Sequence, residues 1–347
     1  MELEELRPEL GSSSDSSARV QSVMPADVRL LSVLAPIRPD LEQVEEILQE
    51  VLARAQEPLG PLLSGVLAGG KRLRPAVVLL SGQVFTPSTV AFYSLAAAVD
   101  MLHAATLIHD DVVDEAGLRR GRQALHTLWP AAASVLAGDY LLAEAVARVA
   151  DLGDARILRT FGGLLRTMCA GEIGQMLAGR RARCSRREYY ESIEAKTASL
   201  FAASAEMAGY LAGALAEQVV ALRRFGRELG LAFQIVDDVL DLAAGEAELG
   251  KPAGRDLRQG LVTLPTLIYL EQGDTEDVAG AVLAGWRDEQ AVAAAIEAIR
   301  ASGAVEAALE IARAHVRRSQ EALEVLPDHP SRQLLCALAD CIVTQWR

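Results

Sequence analysis

Aromatic side chains make up only 4% of this 347-residue chain, which leaves little sign of a β-rich domain. Basic residues are also in deficit: 34 Lys and Arg stand against 47 Asp and Glu, a net charge of −13. Phosphate backbones need a basic stripe, so this balance argues against a nucleic-acid partner. Four cysteines, Cys169, Cys184, Cys336 and Cys341, form no CxxC pair and have no histidine set beside them. Their spacing disfavours both a zinc site and a disulfide scaffold, and makes a reducing cytosol the default compartment. No uninterrupted apolar run approaches the ~20 residues of a membrane-spanning helix, and the N-terminus lacks the basic-then-apolar order of a secretory signal. The expectation is a cytoplasmic protein with no stable membrane insertion.

What the chain does have is 51% hydrophobic residues, enough to bury a large core in one domain. Residues 1–24, with Gly11-Ser12-Ser13-Ser14-Asp15-Ser16-Ser17, lack periodicity and are expected to be a disordered leader. Residues 25–347 are expected to form a single all-helical domain. From Asp40 to Ala55, the residues Leu41, Val44, Ile47, Leu48, Val51 and Leu52 recur at the spacing of an amphipathic helix. Similar segments fill the chain between turns marked by Gly69-Gly70, Gly117, Gly153, Gly162-Gly163, Pro252 to Gly254, Gly260 and Gly273. No sustained alternation of Val, Ile and Thr marks a strand. The pattern predicts an all-α protein: a large antiparallel bundle of about ten or more helices with a central cavity for a ligand.

Two acidic clusters interrupt the apolar segments. Asp110-Asp111-Val112-Val113-Asp114 and Asp237-Asp238-Val239-Leu240-Asp241 share the spacing DDxxD. On a helix, residues four apart lie on one face about 6 Å apart along the axis, so Asp110 with Asp114, and Asp237 with Asp241, can present oxygens to the same hard cation. Oxygen-only ligation favours Mg²⁺, which keeps several waters and is usually completed by substrate phosphate. A diphosphate substrate between the clusters is the expectation. Two solvated acidic turns are the competing explanation, weakened by the apolar flanks of both copies.

Cationic segments accompany the acids: Gly69-Gly70-Lys71-Arg72-Leu73-Arg74-Pro75 before the first cluster and Arg119-Arg120-Gly121 after it. Planar guanidinium forks suit phosphate oxygens. A solvated basic turn accounts for either segment as readily, and only their co-occurrence with the clusters favours a site. Lys196-Thr197, Gln234 and Lys251 supply further donors, with Gln234 three residues before Asp237 on the same helical face.

Taken in order, GGKRLRP, HDDVVD followed by RRG, VLAGDYLL (Val135 to Leu142), GEIGQ (Gly171 to Gln175), KTASL, FQIVDDVLD and GKPAGRDLRQG resemble the trans-isoprenyl diphosphate synthases, the polyprenyl synthetase family. The resemblance runs from roughly Leu41 to the C-terminus. It implies the all-α isoprenoid synthase bundle, a homodimer, and head-to-tail joining of isopentenyl diphosphate to an allylic diphosphate. By the same resemblance, Asp110, Asp111 and Asp114 would hold two Mg²⁺ ions, and Asp237 with Asp238 and Asp241 a third. Arg119, Lys196 and Lys251 match positions that bind the allylic diphosphate, and Lys71, Arg74, His103 and Arg120 match the isopentenyl diphosphate site. Thr197 and Gln234 match positions beside the reacting carbons. The released pyrophosphate can take the proton, so His109 is expected to be structural. A non-catalytic partner subunit of a prenyl synthase and a prenyl diphosphate lyase or cyclase are the alternatives.

Ala105 and Thr106, one turn before Asp110, are expected to line the floor beneath the allylic tail, with Leu102 and Met101 as the next barrier. Short-product relatives often resemble one another in placing an aromatic ring there, so small residues imply a product longer than farnesyl, geranylgeranyl or polyprenyl diphosphate. Several positions depart from the family pattern: Asp100 for glutamate, Gln123 for proline, His126 for asparagine, Pro130 for glycine, and Leu261 for a lysine of the phosphate grip. Arg255, unusual in its own place, is a candidate to compensate for the lost lysine.

Overall fold

Amphipathic segments of the predicted spacing form helices throughout the computed structural model, which describes residues 26–55, 59–67, 70–113, 118–119, 122–123, 125–178, 185–243, 254–273 and 289–344. The expected leader lies outside these residues. The first half holds α1 (Ala26–Leu34), α2 (Arg38–Arg54), α3 (Leu59–Leu67), α4 (Leu73–Gln83), α5 (Val90–Val113), α6 (Leu125–Leu128), α7 (Ala131–Asp151) and α8 (Ala155–Ala178). The second half holds α9 (Arg186–Ile193), a π-helical turn over Glu194–Ala198, α10 (Ser199–Leu211), α11 (Ala216–Ala243), α12 (Arg255–Arg258), α13 (Leu264–Glu271), α14 (Glu289–Ala301), α15 (Ala304–Ala322) and α16 (Pro330–Thr344).

Local signals explain several boundaries. In α2, Val44, Leu48 and Val51 form the buried stripe, with Asp40 in the first turn and Arg54 in the last, each favourable to the helix dipole. Ser185 opens α9 through a capping box with Glu188. One pair of glycines behaves otherwise than expected: α8 runs straight through Gly162-Gly163. Among the described residues the only paired strands are a two-residue antiparallel pair, Leu118–Arg119 against Arg122–Gln123, with Arg119 opposite Arg122. It follows the first acidic cluster and is too short to carry an alternating pattern.

The helices bury two apolar clusters. One surrounds α11 and takes in Phe201, Phe225, Leu229, Ile235 and the inner faces of α15 and α16. The other surrounds α5 and takes in Leu95, Met101, Ile108, Leu141 and Phe161. Both α5 and α11 therefore run through the interior for most of their length. Close approach of α10 and α11 requires glycine: a Cβ on Gly226 would lie 2.3 Å from the Phe201 carbonyl oxygen, and one on Gly230 would lie 2.5 Å from Ala198 Cα. Backbone cannot retreat as a flexible side chain can, so α11 is seated directly against the π-turn.

One described helix, α5, is long and apolar enough to cross a membrane, although Asp100, His103 and His109 break its sequence into short apolar runs. Two-thirds of its most apolar window is buried inside the bundle. Its apolarity is accounted for by the core.

Candidate active site

The ammonium of Lys196, on the π-turn, lies 3.2 Å from an Asp110 oxygen at the end of α5 and 3.1 Å from Glu172 on α8. Burial alone would ease its proton off, but Asp110 and Glu172 reverse that, and Lys196 holds its proton above the ordinary lysine range. The same charge is felt at Asp256, which in turn feels Asp237 and Asp241. Lys196 thus touches the first acidic cluster and lies within electrostatic reach of the carboxylates around the second, whose first residue is 127 positions further along the chain.

Crowding of carboxylates is the dominant electrostatic fact on the α11 wall. Asp237 is solvent-accessible yet ringed by protein on most sides, the condition of a group lining a cleft. Burial lifts its pKa, Asp241 adds to the lift, and Arg255 and Arg74 oppose it. Asp256 is pushed up to about 7 by burial and by the charges of Asp241 and Asp237, against the pull of Arg255 and Lys196. Asp241 is lifted by burial, and is held in place by backbone N–H groups of Arg255 (3.2 Å) and Asp256 (3.0 Å) at the start of α12. Carboxylates that repel one another in a partly desolvated cleft form a hard-oxygen donor set, and a divalent cation is the group that relieves it. The residues fit Mg²⁺. Among the described residues no three or more His, Cys, Asp or Glu side chains close around one point.

Asp238 departs from its expected place beside Asp237. It is buried, and both of its oxygens accept hydrogen bonds from protein: one from the Tyr189 hydroxyl at 2.6 Å, the other from Gln234 Nε2 at 2.9 Å. Gln234 Oε1 in turn accepts from the Thr197 hydroxyl at 2.7 Å. Tyr189, Asp238, Gln234 and Thr197 form one chain of hydrogen bonds that fixes which way the Gln234 amide faces.

Arg74 lies with its guanidinium 4.7 Å from the Phe201 ring centroid and 5.8 Å from that of Phe233, and its charge reaches both Asp237 and Asp100. Lys71 is exposed and His103 half-buried, the latter on the same side of α5 as Asp110 and Thr106. Thr106 donates to the His103 carbonyl. Ala105, Leu102 and Met101 are buried in the α5 cluster. His109 packs against Gly138 of α7, its Nε2 3.2 Å from the Val135 carbonyl and 3.4 Å from Asp139, as a structural residue would. Asp114, Arg120 and Lys251 lie outside the described residues, and of Arg119 only the backbone is described. Leu261 is about one-third exposed, and the charge of Arg255 acts on Asp237, Asp241 and Asp256 alike.

Three site residues carried no assignment from sequence: Glu172, Tyr189 and Asp256. Glu172 and Asp256 stand inside the quoted GEIGQ and GRDLRQG segments, so the segments were visible but not the groups these carboxylates would meet. Tyr189 had no signal beyond an aromatic residue in an amphipathic helix.

A helical bundle that sets a lysine against one acidic cluster and within electrostatic reach of a second fits the class of all-α enzymes that handle diphosphates. The model of the Polyprenyl synthetase family matches residues 56–300. A short chain isoprenyl diphosphate synthase of Methanothermobacter thermautotrophicus is 36% identical over 307 residues, covering 87% of this chain and 93% of the relative. Component 2 of the heptaprenyl diphosphate synthase of Geobacillus stearothermophilus is 36% identical, covering 90% and 98%. A polyprenyl synthase of Caulobacter crescentus, solved in complex with calcium and isoprenyl diphosphate, superposes with a TM-score of 0.85 at 35% identity, covering 92% of this chain and 97% of that one. The chain belongs to the polyprenyl synthetase family and is a trans-prenyltransferase.

Proposed function

We propose that this protein extends an allylic diphosphate with isopentenyl diphosphate and releases a product longer than farnesyl diphosphate. The observation that carries the reading is Lys196: its ammonium touches Asp110 on one wall, and its charge reaches Asp256 on the other. Asp110, Asp111 and Asp114 on one side, and Asp237 with Asp241 on the other, would hold Mg²⁺. Bound there, the ions would neutralise diphosphate oxygens and so lower the barrier to their departure. Asp238 serves this site through Gln234 rather than as a ligand.

The remaining chemistry belongs to the chain's own side chains. Lys196 donates to the departing diphosphate, and a preorganised charged donor in a water-poor cleft can be worth ~3 kcal/mol in the transition state. Thr197 and Gln234, locked to Asp238 and Tyr189, sit beside the allylic carbon and offer it amide and hydroxyl dipoles. Arg119 and Lys251 grip the same diphosphate, while Lys71, Arg74, His103 and Arg120 receive isopentenyl diphosphate. As the allylic C–O bond breaks, the double bond of isopentenyl diphosphate supplies the electron pair for the new C–C bond. A proton then leaves to the released pyrophosphate. Incubation with Mg²⁺, labelled isopentenyl diphosphate and allylic primers of increasing length tests this directly. Labelled prenyl product is expected, and absence of incorporation with every primer would overturn the proposal.

Product length is read by the α5 floor. Thr106→Phe, at a half-buried position, is expected to shift products toward farnesyl diphosphate in reversed-phase analysis. Ala105→Phe should do the same, but the buried site adds about 1 to 3 kcal/mol of overpacking. An unchanged product distribution in a folded Thr106→Phe protein would remove α5 from length control.

A homodimer is the proposed assembly. Leu136 on α7 is 67% exposed, and Ile173 and Met176 on α8 are 55% and 58% exposed, apolar side chains that a second copy would cover. Sedimentation should give a mass near twice 37.0 kDa; a monomer mass at micromolar concentration would exclude it. The proposed compartment is the cytosol.

A further inference from the structure

We propose that Arg72 is a positioning residue: clamped by Asp100 and Glu45, it holds the loop before α4 so that Lys71 and Arg74 meet His103 at the isopentenyl diphosphate site. The inference rests on the functional reading above for the identity of that substrate. Among the described residues, Arg72 is the one non-glycine residue with positive φ (φ 48°, ψ 34°), a conformation that any side chain with a Cβ disfavours and that persists only where the surroundings enforce it.

The enforcement is visible. The Arg72 side chain is only 15% exposed, and its donors reach three helices. Nε and Nη2 donate to Glu45 of α2 at 3.1 and 2.6 Å, Nη2 also donates to the Leu67 carbonyl of α3 at 2.7 Å, and Nη1 donates to Asp100 of α5. Burial works against the Asp100 charge, while Arg72 and Arg74 both favour it. The guanidinium therefore faces the junction of α2, α3 and α5 and does not face the acidic walls.

The consequence is geometric. Arg72 is the last residue before α4 and provides no side-chain cap for it, so the clamp, not a cap, fixes where that helix starts. Arg74 falls in the first turn of α4, directed onto Phe201 and Phe233. Asp100 is three residues before His103, one turn along the same helix. The Arg72–Asp100 pair thus ties the segment bearing Lys71 and Arg74 to the segment bearing His103. It also gives the shortened carboxylate at position 100 a role: Asp100 reaches Arg72 directly.

Steady-state kinetics against each substrate separates this from a general structural role. Arg72→Gly keeps the backbone free to adopt positive φ but removes the clamp, and Asp100→Asn removes one charge with little change in shape. Both are expected to raise KM for isopentenyl diphosphate by about tenfold, leaving kcat and the allylic KM within about twofold. Arg72→Ala, which also strains the backbone, should be worse than Arg72→Gly, and Asp100→Glu, which keeps the carboxylate, should stay near the native values. Equal rises in both KM values, or no rise in either, would overturn the clamp. Native protein that incorporates no isopentenyl diphosphate would instead sink the functional reading. Hydrogen exchange over residues 70–76 tests the clamp without any substrate: faster exchange in Asp100→Asn is expected, and unchanged exchange overturns it.

Discussion

Asp237→Ala protein is expected to fold, to melt at a higher temperature than the native protein in chelator, and to lose about a thousandfold or more of its condensation rate in Mg²⁺. The two effects have one cause. Without metal, Asp237 is a destabilising neighbour: burial and Asp241 already lift its pKa, and it raises that of Asp256. Removing it relieves repulsion in the cleft. With metal and diphosphate present, that same negative charge is what the cations require, so its loss appears in catalysis. A site tuned for function at the expense of the empty fold behaves in this way. Calorimetry in chelator beside single-turnover kinetics in Mg²⁺ reads both effects on one sample. A variant that keeps near-native turnover would remove the α11 cluster from the mechanism, and one that simply unfolds would make Asp237 a structural residue.

Glu228→Ala is expected to act in the opposite direction on stability, lowering it, and to have its larger effect there. Glu228 is 6% exposed and faces α15 from α11. Its oxygens accept from His315 Nδ1 at 2.7 Å, Arg318 Nε at 2.9 Å and Arg227 Nη1 at 2.8 Å. Truncation strands the buried His315, while Arg227 keeps Glu194 and Arg318 can turn to water, and leaving one buried donor without its charged acceptor costs about 1 to 3 kcal/mol. On the native protein the same network predicts acid sensitivity. Burial alone would raise the Glu228 pKa, but the hydrogen bonds of His315 and Arg318 and their charges outweigh it, setting it at about 2 against an ordinary 4.5. A carboxylate with a depressed folded-state pKa contributes its stability in full above the unfolded value and loses it as pH falls through the folded one. Between pH 4.5 and about 2 the native protein should therefore lose about 3 kcal/mol from this residue. Glu228→Gln should lack that part of the slope, and an identical slope in denaturant melts would refute the assignment.

Activity should follow Glu228 as well, through the π-turn. Arg227 donates to Glu228 and also grips Glu194, the first residue of the turn, by two bonds of 2.7 and 2.6 Å. Lys196 and Thr197 occupy that turn. Single π-helical turns inside helices are energetically poor and recur at functional sites, and here the buried charges hold the turn that presents the lysine.

Much of the helical architecture was legible because each signal is local. The stripe of Val44, Leu48 and Val51 needs only the helical period, and the box of Ser185 with Glu188 spans one turn. The positions of the acidic clusters at the ends of α5 and α11 were legible for the same reason, since the helical period of their apolar flanks is written in near neighbours. Asp238 shows the limit of such inference. Its spacing is indistinguishable from that of a ligand, yet Tyr189, 49 positions away, claims one of its oxygens.

By itself the sequence determined an all-helical chain, two oxygen-rich clusters, the cationic loops and the family they resemble, because periodicity, metal chemistry and motif order are written in near neighbours. Tertiary structure alone decided that Lys196 joins Asp110 to Glu172, that Asp256 completes the second wall, and that Arg72 is held in a left-handed turn by Asp100 and Glu45. Those facts depend on distances between segments far apart in the chain, and such distances exist only once the apolar faces of the helices have packed.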